Sequence, residues 1–478
     1  MSTLHRLAVL LSALLLVPAL HAGVPLPGPG FDGMPDRSLG SFGKVVVAFP
    51  GDLPLESGYL VDLAVLPSGK MLLAATIDAG GGNLDFGVIR LNADGSLDTS
   101  FGTAGGRRIA FDRAGSDLRD YFYSMLVQPD GRILLVGEAA GAPADGSDMA
   151  VVRLTANGTP DPTFGSQGKA LVAFNLGPVG NDRNDFAMHA ALQPDGRILL
   201  VGRANSTPST HDWVVARLTA SGIRDTSFDA DGRVQLPLPA PYERAEGRAI
   251  RVLPDGDIIA TGMAVRPGPT TPVIDILVTR LSAAGSPDLG YATAGVAAFD
   301  FGMGSEGQLP FDLQVWPDGS SQVCGAVVVN LPGNLDMACM RLLADGTPDP
   351  DWPPVLVPFD RGGSMRDMAV STAEDAQGRM LLAGWVQRTD TNADAGVARL
   401  LPDGSLDTAF GLGGQMLINS CQSLCLPQTE RDNYASAVSV LPDGRIVVAG
   451  LAMSINGEAR FQVTRMIGDV LFSDNFED

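Results

Sequence analysis

Arg90 and Asp98, eight residues apart, are the first pair in the chain whose chemistry could serve a site. A guanidinium can hold a carboxylate in a fixed fork, or both groups can turn outward to a charged ligand. The pair recurs at the same spacing as Arg153 and Asp161, Arg217 and Asp225, Arg280 and Asp288, Arg341 and Asp349, and Arg399 and Asp407. In every copy a Gly follows the Arg by five residues and an aromatic by eleven, namely Phe101, Phe164, Phe228, Tyr291, Trp352 and Phe410. Two readings are open: a ring of charged binding sites, or an ion pair that every repeating unit needs for its own structure. Because the pair is present whatever the neighbouring loops contain, the structural reading is expected, with the aromatic filling the seam between units.

The elements that carry these residues read as strands. A turn, Pro-Asp-Gly in five of its seven copies, places glycines at Gly69, Gly131, Gly196, Gly256, Gly319, Gly378 and Gly444, 59 to 66 residues apart. Between two apolar runs such a turn marks a hairpin, with Gly at the φ > 0 position. In the copy from Arg183 to Leu236, four runs rich in branched and aromatic residues follow one another: strand a (Phe186–Leu192), b (Arg197–Ala204), c (His211–Leu218) and d (Gly232–Leu236). Four antiparallel strands per unit of about 60 residues make a propeller blade, and seven turns predict a seven-bladed, all-β propeller.

The chain ends fit closure of that ring. The N-terminal part holds a fragment of the frame, Asp36 and Phe42-Gly43, and then a d-type strand, Lys44–Phe49. The C-terminal part supplies a, b and c (Tyr434–Val440, Arg445–Gly450, Ala459–Met466) without a regular d. Pairing Lys44–Phe49 with Ala459–Met466 would complete the last blade and hide the sheet edges.

The frame R-L-x-x-x-G-x-x-D-x-x-F-G, together with the hairpin x-P-D-G-R-I-x-x-x-G at Gln128–Gly137 and Gln193–Gly202, resembles the bacterial delta-60 repeat family. The likeness runs from about Asp36 to Met466. It implies a secreted or surface-associated β-propeller without an assigned chemistry. Tyr291, Trp352 and Ala376-Gln377 depart from the pattern. The ending Leu471 to Asp478 is similar to short acidic-aromatic tails on exported proteins of some Gram-negative bacteria.

Binding should occur where the repeats differ. The d–a and b–c loops vary in length and composition, and in a four-stranded meander both emerge on one face, the expected binding face. Its largest loops are Glu138–Ser147, Arg266–Val273 and Asn419–Asp432. Arg119 and Asp120, Arg183 and Asp185, Arg366 and Asp367, and Arg431 and Asp432 end the d–a loops. With strand a innermost they are candidates for a charged rim at the channel mouth; solvated loop charges pairing locally are the plainer reading. Counting back from each turn glycine, position −7 is Asp62, Ser124, His189, Ala249, Asp312, Ser371 and Ala437, and position −6 is Leu63, Met125, Ala190, Ile250, Leu313, Thr372 and Val438. The first set is expected to line the channel and the second to pack between blades.

His189 with Asp62, Asp312 and Ser124 would be the core of a hydrolase or lyase site, the alternative to a binding module. No G-x-S-x-G, H-E-x-x-H or His cluster is present, so non-catalytic binding is expected. Asp229-Ala-Asp-Gly232 has the start of a calcium loop without its later carboxylates, and no cofactor is expected, although calcium held more simply between acidic loops stays open.

Residues 1–22 read as a signal peptide: His5 and Arg6, an apolar run from Leu7 to Leu20 of about 14 residues, too short to span a bilayer, and a cleavage site near Ala22. A linker (23–35), the propeller (36–468) and an acidic-aromatic tail (469–478) follow. The mature chain is expected outside the cytoplasm, secreted, periplasmic or at the cell surface, as a monomer with no membrane span. The net charge of −21 disfavours nucleic acid and anionic membranes; a peptide, glycan or cell-surface component is the expected partner. Lys is confined to Lys44, Lys70 and Lys169, so Arg carries the structural positive charge. Cys324 with Cys339, and Cys421 with Cys425, are expected as disulfides in an exported chain.

Overall fold

The computed structural model describes residues 33–468 except 57–60, 114–118, 142–145, 178–182, 208, 270, 302–306, 331–333, 360–365, 390–391, 419–429 and 455. The expectations for the signal peptide, the terminal tail, Cys421 and Cys425 lie outside the described residues. The described chain forms 28 strands in seven four-stranded antiparallel sheets. In the third blade strands a to d are Asp185–Leu192, Ile198–Asn205, His211–Leu218 and Arg233–Gln235, close to the expected runs. Each strand a touches strand a of the next blade, and Glu430–Val440 touches Asp62–Val65, so strand a is innermost and the ring is closed. Among the described residues no helix is long and apolar enough to cross a membrane.

Closure follows the expected route. Lys44–Val47 forms the outer strand of the last blade, with Lys44 opposite Thr464 and Val47 opposite Phe461. The seven sheets are radial, so the apolar cores lie between them. Leu134, Val136 and Val151 of one blade pack with Ala190, Leu200 and Val214 of the next.

In the first three blades the repeated frame fastens a blade to its successor. Arg153 Nε donates to Asp161 Oδ2 at 2.8 Å, while Asp161 Oδ1 takes the Thr163 amide and hydroxyl. The same guanidinium lies 4.7 Å from the centroid of Phe164 and donates through Nη1 to Ala220 O of the following blade. Gly222, two residues beyond Ala220, has φ +78° and brings its Cα face onto Phe164: a Cβ there would stand 2.7 Å from the ring. The frame's Arg, Asp, Gly and aromatic are therefore one joint, with the Gly supplied by the neighbour. For Asp98, burial opposes ionisation, but donors from Lys70, Ser100 and Arg90 outweigh it and hold the carboxyl well below the usual range.

Two details differ from the expected frame. At the N-terminus Asp36 does accept from Arg465 Nε at 2.7 Å, but the buried partner is Leu39, not Phe42, whose side chain is 60% exposed. Leu39 is three residues after Asp36, as Phe101 is after Asp98, so spacing rather than aromatic character marks the equivalent position. In the fourth and fifth blades the pair opens: Arg280 Nε is 3.8 Å from Asp288 and turns to Asp257 at 2.8 Å, and Arg341 is 3.7 Å from Asp349 while lying over Trp316.

The fifth blade instead carries the disulfide. Cys324 and Cys339 are direct cross-strand partners on strands b and c, bonded and buried.

Candidate functional site at the channel mouth

Six innermost strands contain a β-bulge at one position. The register against strand b shifts between Phe122 and Ser124, Ala187 and His189, Gly247 and Ala249, Pro310 and Asp312, Ala369 and Ser371, and Ala435 and Ala437. The extra residue is always position −8: Tyr123, Met188, Arg248, Phe311, Val370 and Ser436. A glycine on strand b makes the bulge feasible. A Cβ on Gly137 would stand 1.9 Å from Tyr121 O, and one on Gly384 would stand 1.6 Å from Met368 O. The final Gly of the hairpin motif thus exists to let the innermost strand swell inward. Position −8 lies toward the variable-loop end of the channel, and its residue changes from blade to blade.

Around this mouth the two sides differ in chemistry. On the side of blades two to four, Arg203 Nη1 donates to Glu246 Oε2 at 3.0 Å, Arg248 Nη2 pairs with Glu246 Oε1, and His211 Nε2 lies 3.7 Å from Glu246. Tyr123 OH donates to Glu138 at 3.2 Å and Ser147 Oγ donates to it at 2.7 Å. Burial pushes the Glu138 carboxyl up to about 7 and pulls His211 down to about 4. On the side of blades five and six, Ala326, Met368 and Val370 form a separate apolar cluster, with half-buried Leu309, Phe311, Leu335 and Trp385 against it. Trp385 meets Tyr434 edge-to-face at 6.2 Å. Arg248 joins the halves, its guanidinium 5.8 Å from the Phe311 ring centroid.

Deeper in the channel, His189 Nε2 lies 3.1 Å from Arg251 Nη1, and Arg251 Nη2 donates to Asp312 Oδ1 at 2.7 Å. One arginine thus ties three blades. Position −7 does not stand free in the channel at Asp62, Asp312 or Ser371: these accept from the amides of Met125 (2.7 Å), Thr372 (2.8 Å) and Val438 (3.2 Å) on the next innermost strand. Ser124 is buried. Position −6 packs toward the preceding blade, as Leu63 does against the cluster holding Val447 and Ala449. Burial pushes Asp62 up to about 6 and His189 well below its ordinary value, with Arg251 adding to the second shift. Arg251 was missed from sequence; the signal was a lone Arg at position −5, where other blades carry Ala64, Leu126, Ala191, Gln314, Ala373 and Ser439.

The expected rim of charges is built otherwise. Asp120, Asp185 and Asp367 are wholly buried and clasp the d–a connection, accepting the amides of Phe111 (2.6 Å), Phe174 (2.6 Å) and Phe359 (2.8 Å). Burial pushes Asp120 and Asp185 up to about 7. The backbone of Arg119 bridges to Leu84 and that of Arg366 to Leu335, both on strand c of the preceding blade. Arg183 donates to Gly177 O, and Asp432 accepts from Ala393 N. The side chain of Arg431 lies outside the described residues. The reason is the path of the chain: the d–a connection must return from the rim to the centre, passing over strand c of the blade just left, and these residues tie it there. Among the described residues no three His, Cys, Asp or Glu side chains converge to hold a metal.

Five segments, 66–101, 128–164, 193–228, 377–410 and 441–465, match a family described as a domain of unknown function (DUF5122) beta-propeller. They fall in blades one, two, three, six and seven. The blades without a DUF5122 match are the fourth and fifth, where the Arg–Asp pair has opened. No curated protein matches the chain. Solved structures similar to it include a protein of unknown function from Dyadobacter fermentans, at 12% identity over 92% of this chain and 100% of that one, with a TM-score of 0.42. A polysaccharide lyase of family PL25, ulvan lyase, is 12% identical over 87% and 95%, with a TM-score of 0.48. The β-propeller domain of the trilobed protease from Pyrococcus furiosus is 8% identical over 85% and 92%, with a TM-score of 0.41. Likenesses at this level carry no functional argument.

Proposed function

We propose that the chain is an exported binding module that takes a peptide, glycan or other cell-surface component at the variable-loop mouth of its channel. One observation carries the reading. A repeated bulge places one residue at the mouth in six of the seven blades, and that residue is a different type each time in a scaffold whose joints otherwise repeat. A scaffold that only had to close would repeat this position as it repeats the joints.

The groups that a hydrolase or lyase would use support binding instead. Arg251 is engaged by His189 and Asp312, and both Asp62 and Asp312 accept main-chain amides, which favours a strut across the channel. Export is supported by the leader-like residues 1–22 and by the buried disulfide.

A thermal-shift screen of the chain against peptides, oligosaccharides and divalent ions tests the reading, because a ligand that binds only the native state raises the melting temperature. A shift lost in the double variant Tyr123→Ala, Phe311→Ala and kept in His189→Ala is the expected result. A shift with the opposite dependence would move the site into the deep channel and revive the enzyme reading.

A further inference from the structure

At the mouth Arg203 and Arg248 both pair with Glu246, in a protein of net charge −21. The second acid of this side, Glu138, is buried and already accepts from Tyr123 and Ser147. Arg248 Nε is enclosed and has no hydrogen-bond partner among the described residues. An enclosed guanidinium N–H without an acceptor is costly unless something else supplies one.

Next to that donor the wall turns apolar. Phe311 lies against the guanidinium, and half-buried Leu309, Leu335 and Trp385 continue the wall over buried Met368 and Val370. Most of these side chains are aliphatic and offer no hydrogen bonds to hydroxyls, which suits a hydrocarbon side chain better than a sugar ring. The ligand this pairing fits bears a carboxylate within a few bonds of an apolar group.

We propose that the mouth captures the C-terminus of a peptide, with Arg248 taking the terminal carboxylate and the Phe311, Leu335 and Trp385 wall taking an aliphatic or aromatic last side chain. This rests on the binding-module reading above and adds the ligand class. Guanidinium and carboxylate meet as a fork, and the side chain one bond from the carboxylate carbon reaches the neighbouring wall.

Isothermal titration of the full chain with acetyl-Ala-Ala-Leu, with its C-terminal amide, and with a hexuronate trisaccharide tests it. The acid is expected to bind, and amidation or Arg248→Gln to weaken it by about tenfold or more, the scale of a lost charge-assisted fork. Phe311→Ala should weaken it too, whereas Arg224→Gln, in the exposed c–d connection on the opposite face, should leave it unchanged. Arg248→Lys, which keeps the charge and loses the fork, gives an intermediate affinity and guards against a folding artefact. Equal binding of acid and amide, or binding indifferent to Arg248, would overturn the proposal. Binding of the hexuronate that depends on Arg248, with no response to either peptide, would overturn the peptide class while leaving the mouth as the site. No response to any probe, from a chain that melts cooperatively, would overturn the proposal. The wider reading would then stand or fall on the screen above.

Discussion

Arg90 belongs to two blades at once: its Nε donates to Asp98 at 2.7 Å inside the first, and its Nη1 donates to Ala156 O at 2.7 Å in the second. Arg465 repeats this across the closure, holding Asp36 at 2.7 Å and Ala93 O at 2.8 Å. Side chains whose sequence spacing is eight residues thus act between consecutive blades, as Arg153 and Arg217 do again, and the link across the closure uses the N-terminal segment.

The buried pair Arg153 and Asp161 gives the sharpest stability test. Removing one partner strands a charge, so Asp161→Ala should destabilise by about 3 to 5 kcal/mol. Replacing both by apolar residues of similar volume, Arg153→Met with Asp161→Leu, should cost clearly less. Urea unfolding midpoints of the three proteins measure it, and equal losses would contradict the joint.

Gly158 sits against Phe101 with φ +85°, and a Cβ would lie 2.8 Å from the ring. Gly158→Ala should lower stability by more than about 1 kcal/mol, since both the backbone and the space oppose it. Combining it with Phe101→Leu should restore part of the steric loss and none of the backbone strain. Additive losses in thermal melts would show that the two do not meet.

Stability should fall as pH rises through neutrality. Asp120, Asp185 and Glu138 are pushed up to about 7 and Asp62 to about 6, chiefly by burial. The native state therefore keeps protons that the unfolded chain releases above about pH 4, so this contribution is whole below that pH and is lost as pH climbs toward 7. Asp36, Asp98, Asp161 and Asp225 are held low, and their contribution is lost instead as pH falls below about 4. Melting temperatures from pH 3 to 9 should peak in mildly acidic buffer, and Asp120→Asn should flatten the alkaline limb. A maximum above pH 8 would contradict these assignments.

Reducing the Cys324–Cys339 bond, which closes 15 residues, should cost about 3 kcal/mol by the loop-entropy estimate. Other blades place small or β-branched residues at these positions, among them Val136 with Val151 and Val201 with Val215. Cys324→Val with Cys339→Val should accordingly recover more stability than the double Ser variant, as read by melting temperature. Equal losses would mean the site tolerates hydroxyls.

Most of the architecture was legible because it repeats. The seven turns gave the hairpins and the blade count, and the six copies of the Arg–Asp frame gave the repeat, since each copy reports the same local physics. What repetition concealed was the bulge. An extra residue at Tyr123 or Arg248 breaks the two-residue alternation, so counting faces back from the turn says nothing reliable about side chains beyond it. Burial of Asp120 and its counterparts was also hidden, because an acid beside an Arg in a loop reads as a surface pair when its acceptor role toward a distant amide is unseen. Arg251 was legible as a departure from six small or uncharged residues, but its partners His189 and Asp312 belong to other blades.

The central claim is that ligands meet the bulged, variable end of the channel. Amide hydrogen exchange of the chain, alone and saturated with the compound that raises its melting temperature most, tests that directly. Added protection should concentrate in peptides covering Asp120–Val127, Arg244–Val252 and Gln308–Val315, where strand a carries Tyr123, Arg248 and Phe311. Protection confined to the opposite face, at the turns around Gly131, Gly196 and Gly256, would contradict the account.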